Sequence, residues 1–284
     1  MGMASVFYDL LNNIIIDSSL KPNNTSEREC AVNHLKLSKH NDLIIYDRGY
    51  AGFYFYTHHV QHNLSFCIRA KTKKDLFVKA FIESNKKQTI VTIKPDKYAA
   101  RVCKEKGLSI APVTLRLVRV DLPNEVEVLI TNLMDKTKYD ASVFKSLYHT
   151  RWGIEENYKR LKQWAEIENF SGKSTLSVKQ DFYAKIVSAN LTALLVLATQ
   201  KKLVKKSSEL KLDYKVNFAQ ALSKMKHRLV HMLRNSEAGI KVIIQQTVLY
   251  ISQTVEAVRV GRSAPRRLKN IKNDIHFPAY KSAL

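Results

Sequence analysis

Apolar and polar positions follow different periods in successive parts of the chain, and these periods predict its elements. In the first 70 residues, short apolar runs with the two-residue period of strands alternate with segments of helical spacing. Asn12 and Asn13 form a turn dipeptide that tolerates positive φ, so the runs on either side of them predict a hairpin. In chain order, the pattern predicts a hairpin over 5–18, a helix after Ser26, a strand over 43–46, a helix over 51–61 and a strand over 64–70. This order predicts a mixed α/β fold.

Residues 71–140 have a different pattern. Runs rich in β-branched residues at 89–93, 113–120 and 126–131 are bounded by prolines, and they predict an antiparallel β module inserted into the α/β unit. After residue 140, helical spacing predicts amphipathic helices over 141–166, 177–200, 218–234 and 240–258. We therefore predict four regions, which are a first part of the core over 1–70, a β-rich insertion over 71–140, the remainder of the core over 141–200 and a basic helical region over 201–284.

The chain is strongly basic. Its 47 Lys and Arg residues exceed its 25 Asp and Glu residues, which leaves a net charge of +22. From residue 200 onward there are 18 Lys or Arg and 5 Asp or Glu, so the excess is concentrated at the C-terminus. Such an excess predicts a polyanionic partner, and phosphate contact is favoured over a membrane surface. The two densest clusters are Lys201, Lys202, Lys205 and Lys206, and Arg259, Arg262, Arg266 and Arg267.

Two observations bear on localisation. The best candidate for a membrane segment, residues 186–200, has 15 uncharged residues, fewer than the about 18 needed to cross a bilayer. Residues 1–13 lack the pattern of a secretory leader, so we expect a cytoplasmic protein without a membrane partner.

Cys30, Cys67 and Cys103 show no CxxC pairing and are expected to be buried apolar residues.

Asp47 is the first candidate for chemistry. It follows the apolar run 43–46 and precedes Arg48 and Gly49. Ligands and metals often bind at the carboxyl ends of strands in α/β sheets, which makes Asp47 a candidate metal ligand. Taken alone, an aspartate next to a glycine-containing turn is better explained by a turn or a helix cap.

A second candidate lies in the segment after residue 147. If residues 141–166 form one helix, Arg151, Glu155 and Lys162 lie within about 60° of Tyr148 around its axis, and they form a stripe that also includes Lys159. The alternative is a solvated face with ion pairs such as Glu155 with Lys159, each worth about 0.3 to 0.5 kcal/mol.

These residues resemble a known family. The spacing Tyr148-x2-Arg151-x3-Glu155-x6-Lys162 is similar to the Y-R-E-K signature of bacterial insertion-sequence transposases of the DDE type, in the group named for insertion sequence four. The segment from Asp47 to Tyr50 resembles the second-aspartate motif of that group, and residues 4–13 resemble the stretch that follows its first aspartate. The resemblance extends along nearly the whole chain.

The resemblance implies a ribonuclease H-like fold with a β insertion, and DNA cleavage and strand transfer at transposon ends. In such enzymes two aspartates and one glutamate hold two Mg²⁺ ions, with Mn²⁺ as a substitute, about 4 Å apart. Carried over, Asp47 is the second acidic ligand and Glu155 the third. The partners implied are double-stranded DNA and a second copy of the chain on that DNA. The expected DNA contacts are Tyr148, Arg151, Lys159, Lys162, Arg48 and Trp152.

One acidic ligand of the family has no counterpart in the sequence. The family's first aspartate lies on a strand upstream of the stretch that begins here at Ala4, and neither Asp9 nor Asp17 is expected to replace it. We therefore expect a compromised two-metal site and a chain that does not cut DNA by itself. The alternative function is a non-catalytic, DNA-binding transposase remnant. Trp152 and Trp164 are candidates to stack on a DNA base, and packing of the helix is their alternative role.

Overall fold

The computed structural model describes residues 2–72, 75–123, 125–207 and 213–258. Contacts divide the chain into two units. The first comprises Met1–Thr25 and Ile154–Leu284, and the second comprises Ser26–Gly153. The basic cluster at 259–267 and the side chains of the cluster at 201–206 lie outside the described part.

Strands and helices alternate through most of the described residues, so the mixed α/β prediction is confirmed. The strands are β1 (Gly2–Asp9), β2 (Ile14–Pro22), β3 (Leu43–Tyr46), β4 (Ser65–Arg69), β5 (Gln88–Ile93), β6 (Val113–Asp121), β7 (Val126–Thr131), β8 (Tyr214–Val216) and β9 (Val255–Ala257). The helices are α1 (Glu27–His34), α2 (Phe53–Gln61), α3 (Leu76–Glu83), α4 (Lys97–Glu105), α5 (Val143–His149), α6 (Trp152–Gln163), α7 (Thr175–Ser207), α8 (Phe218–Arg234) and α9 (Glu237–Ser252).

A five-stranded sheet in the order β3-β4-β7-β6-β5 organises the second unit. β3 and β4 are parallel, and the remaining neighbours are antiparallel. The strands of residues 71–140 are antiparallel, as the sequence predicts, but they continue the sheet of β3 and β4 and do not form a sheet of their own. The reason is that β4 pairs along its free edge with β7, which places Cys67 opposite Thr131.

Helices pack on this sheet through side chains that alternate along its strands. On one face, Phe144 and Tyr148 of α5 pack with Cys67, Val118 and Leu129. All five side chains are buried. This packing holds α5 against strands β4, β7 and β6. The three cysteines are free and buried, as predicted.

In the first unit, β1 and β2 form the predicted hairpin, with a register shift between Phe7 and Tyr8. One carboxylate oxygen of Asp9 accepts hydrogen bonds from the backbone amides of Leu11 at 2.9 Å and Asn12 at 3.1 Å. Asn13 takes the positive φ of 57° that the turn requires. The carboxylate of Asp9 is therefore engaged in shaping the hairpin turn.

The long helix α7 is the core helix of the first unit. It contains a stretch, Thr175–Gln200, that is long and apolar enough to cross a bilayer by length and composition. Its residues Phe182, Ile186 and Ala189 are buried in a core cluster with Ile15 of β2. These apolar side chains pack within the first unit, whereas Val187 and Leu194 of the same stretch are exposed.

The helices α8 and α9 pack on α7 in the first unit. α8 matches its predicted range of 218–234. α9 ends at Ser252, whereas the sequence predicts helix to residue 258; residues 255–257 instead pair as β9 with β8. This pairing joins segments about 40 residues apart, so the local helical pattern does not reveal it.

Candidate functional site

Asp47 lies where β3 ends. β3 runs parallel to β4, with Tyr46 opposite Ile68, so the carboxyl ends of both strands lie at this edge of the sheet. Asp47 is half-buried, and it precedes a 3₁₀ turn over Arg48–Tyr50. Its side chain makes no capping hydrogen bond to that turn. The helix-cap explanation of Asp47 is therefore not supported, and its carboxylate is not used as a cap.

Arg28 of α1 holds the loop after Asp47. Its Nε and Nη2 atoms donate hydrogen bonds to the carbonyl oxygen of Gly49 at 3.0 and 2.6 Å, and Nη2 lies 3.5 Å from the carbonyl oxygen of Ala51. Lys71 donates to the same Ala51 oxygen at 2.9 Å. This role of Arg28 is not predictable from the sequence, since nothing near Arg28 points to a loop that follows another strand.

A buried hydrogen-bond chain supports the strand end from the side of α2. The Tyr46 hydroxyl lies 3.1 Å from Nε2 of His59, and Nδ1 of His59 lies 2.7 Å from the carbonyl oxygen of Phe55. Because a carbonyl can only accept, Nδ1 carries the proton and Nε2 accepts from Tyr46. Burial lowers the pKa of His59 to about 4, so the ring is neutral at pH 7. His59 thus has a structural partner, Tyr46, which the local sequence does not reveal.

Tyr148 lies beside this strand end. Its hydroxyl donates a hydrogen bond of 3.2 Å to the carbonyl oxygen of Tyr46, and the side chain is 7% exposed. Burial is the main reason that the pKa of Tyr148 is raised; the charge of Arg151 lowers this pKa, and that of Asp47 raises it. Asp47 and Arg151 are therefore each close enough to Tyr148 to act on it electrostatically.

The helix predicted over 141–166 is two helices, and this corrects the predicted stripe. α5 ends at His149, Thr150 and Arg151 form a turn, and α6 begins at Trp152. The amides of Thr150, Arg151 and Gly153 bond to carbonyls three residues earlier, so the chain follows a 3₁₀ path with a different angle per residue. Tyr148 and Glu155 consequently lie on different helices. Thr150 and Gly153 are weak helix formers, which favours the interruption at this point.

Arg151 lies in the turn between α5 and α6. Its guanidinium carbon is 5.7 Å from the ring centroid of Tyr148 and 5.4 Å from that of Trp152. These distances are within the range of cation–π attraction, which restricts the orientation of the guanidinium. Trp152 remains 47% exposed. Arg48, at the start of the 3₁₀ turn, is also exposed.

Glu155 and the predicted lysines lie on α6. Glu155 is exposed in the first turn, where a negative charge interacts favourably with the helix dipole. Lys159 and Lys162 are exposed as well, and Lys162 forms a surface ion pair of 2.8 Å with Glu168. Glu155 belongs to the first unit and Asp47 to the second, and their sharing of one metal pair remains a prediction.

Within the first unit, α6 packs through its other side chains. Arg160 lies 3.3 Å from the side-chain oxygen of Asn13, and its guanidinium carbon is 4.8 Å from the ring centroid of Phe218. Trp164 stacks on Phe218 with ring centroids 6.1 Å apart and lies against a core cluster. This contact supports the packing role of Trp164 over base stacking.

The metal site implied by the resemblance needs three carboxylates. Over residues 2–72, 75–123, 125–207 and 213–258, no group of three or more His, Cys, Asp or Glu side chains is arranged to hold a metal ion.

Comparison with known proteins identifies the family. Residues 2–191, about two thirds of the chain, match the family described as "Transposase DDE domain". A comparison with curated proteins finds no match. The matched range includes the hairpin, the five-stranded sheet, Asp47 and the helix of Glu155. The chain therefore belongs to the Transposase DDE domain family.

Proposed function

We propose that the chain is a DDE transposase of the insertion-sequence-four type, which binds double-stranded DNA at transposon ends and takes part in its cleavage and strand transfer, as a dimer on the DNA. The observation that carries the proposal is the match to the Transposase DDE domain over residues 2–191. The position of Asp47 at the carboxyl end of a parallel strand supports it, because ligands bind at this edge in α/β sheets.

Asp47 and Glu155 are the two carboxylates that we assign to Mg²⁺ or Mn²⁺. In enzymes with two metal ions, the ions stabilise the attacking and the leaving oxygen of a phosphodiester. The resemblance implies a third carboxylate, which we expect cleavage to require. The expectation that the chain by itself does not cut DNA stays a prediction.

Arg151 is the residue that we assign to a phosphate near the cut. Its guanidinium is held near the rings of Tyr148 and Trp152, and a planar guanidinium oriented in advance can donate two parallel hydrogen bonds to a phosphate. Arg48, next to Asp47, and the exposed Lys159 and Lys162 of α6 are the further cations that we assign to DNA.

Trp152 and Tyr148 receive different roles. Trp152 has enough exposed surface to stack on a base. The hydroxyl of Tyr148 already donates a hydrogen bond to the carbonyl oxygen of Tyr46. We assign Tyr148 as a positioning residue, which fixes the start of the turn that carries Arg151.

Metal binding gives the sharpest test of the assignment. Calorimetric titration with Mn²⁺, in the presence of a short duplex, compares the unaltered chain with Asp47→Asn and Glu155→Gln. The matched control is Glu156→Gln, which removes an exposed carboxylate next to Glu155 on the same helix. We expect each site variant to lower the affinity for Mn²⁺ at least tenfold and the control to leave it unchanged. Equal affinities in all four proteins would contradict the assignment.

A cleavage assay then separates the proposed transposase from its alternative, the non-catalytic remnant. The substrate is a labelled duplex that spans a border of the genomic element encoding the chain, with Mg²⁺ or Mn²⁺ present. Nicking that Glu155→Gln abolishes and Glu156→Gln preserves would show that a third carboxylate lies within this chain. Binding without nicking, together with Mn²⁺ affinity that is insensitive to Asp47→Asn, would support the remnant.

A further inference from the structure

The helix α4 presents cations on the side that faces away from the core of the second unit. Its inner side is anchored by Cys103, which is fully buried, and α4 packs on α2. Its first turn is capped by Asp96, whose carboxylate accepts a hydrogen bond of 2.7 Å from the amide of Ala99. α4 is therefore anchored in the second unit, and its exposed side chains project from an ordered helix.

Three of these outer side chains form a row. Lys97, Arg101 and Lys104 are exposed, and their spacing of four and three residues puts them on one stripe about 10 Å long. Each strand of duplex DNA places one phosphate every 3.4 Å or so along the helix axis, and long Lys and Arg side chains in a row of this length can reach successive phosphates. We call Lys97, Arg101 and Lys104 the α4 stripe.

Neighbouring side chains leave the α4 stripe available. Arg101 lies 3.7 Å from Glu105, but both side chains are about two-thirds exposed, at 68% and 63%. An exposed pair of this kind is worth about 1 kcal/mol or less, so a phosphate can replace the carboxylate. Tyr98 is 68% exposed, and the guanidinium carbon of Arg101 is 5.4 Å from its ring centroid. An exposed aromatic ring therefore lies beside the three cations of the α4 stripe.

The α4 stripe is linked to the Asp47 loop within the second unit. Lys106, just after α4, lies 3.8 Å from Glu29 of α1. Arg28, which precedes Glu29 in α1, donates a hydrogen bond to the carbonyl oxygen of Gly49 in the loop that follows Asp47. α1 therefore contacts both the end of α4 and the loop of the candidate site.

A phosphate backbone fits this surface better than a membrane does. Helices that bind at a membrane surface insert a free apolar face between the lipids. The inner face of α4 is occupied by its packing on α2, and the outer stripe consists of cations. A row of fixed cations without a free apolar face favours DNA.

We propose that the α4 stripe binds the phosphate backbone of duplex DNA, as a contact separate from the residues assigned to the cut. This inference rests on the proposed function, since it assumes that DNA is the partner. The contact is independent of sequence because it involves only phosphates, and it adds affinity and orientation to a complex held at the Asp47 loop.

The test measures binding of a fluorescent duplex by anisotropy between 50 and 200 mM salt. The stripe variant carries Lys97→Gln, Arg101→Gln and Lys104→Gln. The matched control carries Lys79→Gln, Lys86→Gln and Lys87→Gln, which removes three exposed cations from the same unit. Both variants lose the same charge. A difference between their DNA affinities therefore depends on where the cations lie and not on the net charge. Thermal melting of each protein checks that it is folded.

We expect the stripe variant to bind at least tenfold more weakly than the control at 100 mM salt. Its salt slope should also be smaller by about 3, since about one counterion is released for each phosphate contact. Stripe and control variants that bind alike would overturn this inference and leave the Mn²⁺ test of the proposed function unaffected. Failure of the unaltered chain to bind duplex at all would contradict both. Binding to phosphatidylserine vesicles that depends on the stripe, with DNA binding unchanged, would also overturn the inference.

Discussion

The hydroxyl of Tyr148 donates a hydrogen bond of 3.2 Å to the carbonyl oxygen of Tyr46, the residue just before Asp47. This contact ties the end of α5 to the end of β3. Tyr46 in turn uses its own hydroxyl to bond His59 of α2. The strand end that carries Asp47 is thereby supported by helices from two directions, and Arg28 holds the loop beyond it.

Replacing Tyr148 by phenylalanine separates its packing role from a DNA contact. The change removes the hydroxyl and leaves the Tyr46 carbonyl without that donor, so we expect the free energy of unfolding to fall by about 1 to 2 kcal/mol. DNA affinity should change less than twofold. Chemical denaturation and anisotropy measure the two quantities, with the exposed Tyr183→Phe as control. A large loss of DNA affinity with unchanged stability would support the phosphate contact predicted from the sequence.

Replacing Arg28 by methionine should loosen the loop after Asp47. The change removes the bonds to the Gly49 carbonyl, and we expect a loss of about 1 to 2 kcal/mol in the free energy of unfolding. The amides of Tyr50 and Ala51, which bond within the 3₁₀ turn, should exchange with solvent faster. The neighbouring Arg48→Met, which alters an exposed arginine, is the control. Unchanged amide exchange in the Arg28 variant would show that the hydrogen bonds of Arg28 do not stabilise this loop.

The buried imidazole of His59 should make stability depend on pH. Its pKa is lowered to about 4 by burial, whereas a histidine in the unfolded chain titrates near its ordinary pKa of 6.5. Between these values the unfolded chain binds more protons, so the free energy of unfolding should decrease as the pH falls from 6.5 towards 4. The decrease from this residue is at most about 3 kcal/mol. Protonation of Nε2 also removes the acceptor for Tyr46.

Urea denaturation at pH 7, 6 and 5 checks this dependence. His59→Gln should flatten the decrease, and the exposed His40→Gln should not. The pKa of His58 is also lowered to about 4, first by burial and then by His62, so part of the decrease should persist in the His59 variant. A pH dependence that is identical in all three proteins would contradict the assignment to His59.

Replacing Asn190 by leucine should destabilise the first unit. Its side-chain oxygen accepts from the amide of Ile15 at 2.9 Å, and its side-chain nitrogen donates to the carbonyl of Ile15 at 2.8 Å. Leucine leaves both backbone groups without these partners, and we expect a loss of about 2 to 3 kcal/mol in the free energy of unfolding. Ser188→Ala, on the same helix, should change it by less than about 0.5 kcal/mol. Equal effects of the two substitutions would contradict the anchoring role of Asn190.

Removing residues 259–284 should reduce the salt dependence of DNA binding. This segment is rich in Lys and Arg, and it contains the second predicted basic cluster. If these cations contact phosphates, the affinity of the full chain should fall tenfold or more between 50 and 200 mM salt, and the shortened chain should show a smaller slope. A slope that does not change on removal would mean that the segment makes no phosphate contacts.

The sequence by itself determined the features that depend on neighbouring residues. The hairpin around Asn13 was predictable because a turn dipeptide lies between two apolar runs. The strand before Asp47 was predictable because four apolar residues end at a polar one, and α8 because its helical period is uninterrupted. The spacing of Tyr148, Arg151 and Glu155 also pointed to the family to which the chain belongs.

Only the tertiary structure decided which distant residues meet. β7 joins the sheet beside β4, although 56 residues separate the two strands, because pairing of strand edges leaves no local pattern. Arg28 and His59 reach the strand end of Asp47 from helices whose own sequences predict nothing about it. Because the chain is interrupted at Thr150, Tyr148 and Glu155 lie on different helices. A short 3₁₀ turn changes the direction of side chains without changing the apolar pattern. Local periodicity therefore predicted the elements, and long-range hydrogen bonds and packing decided the surroundings of the candidate site.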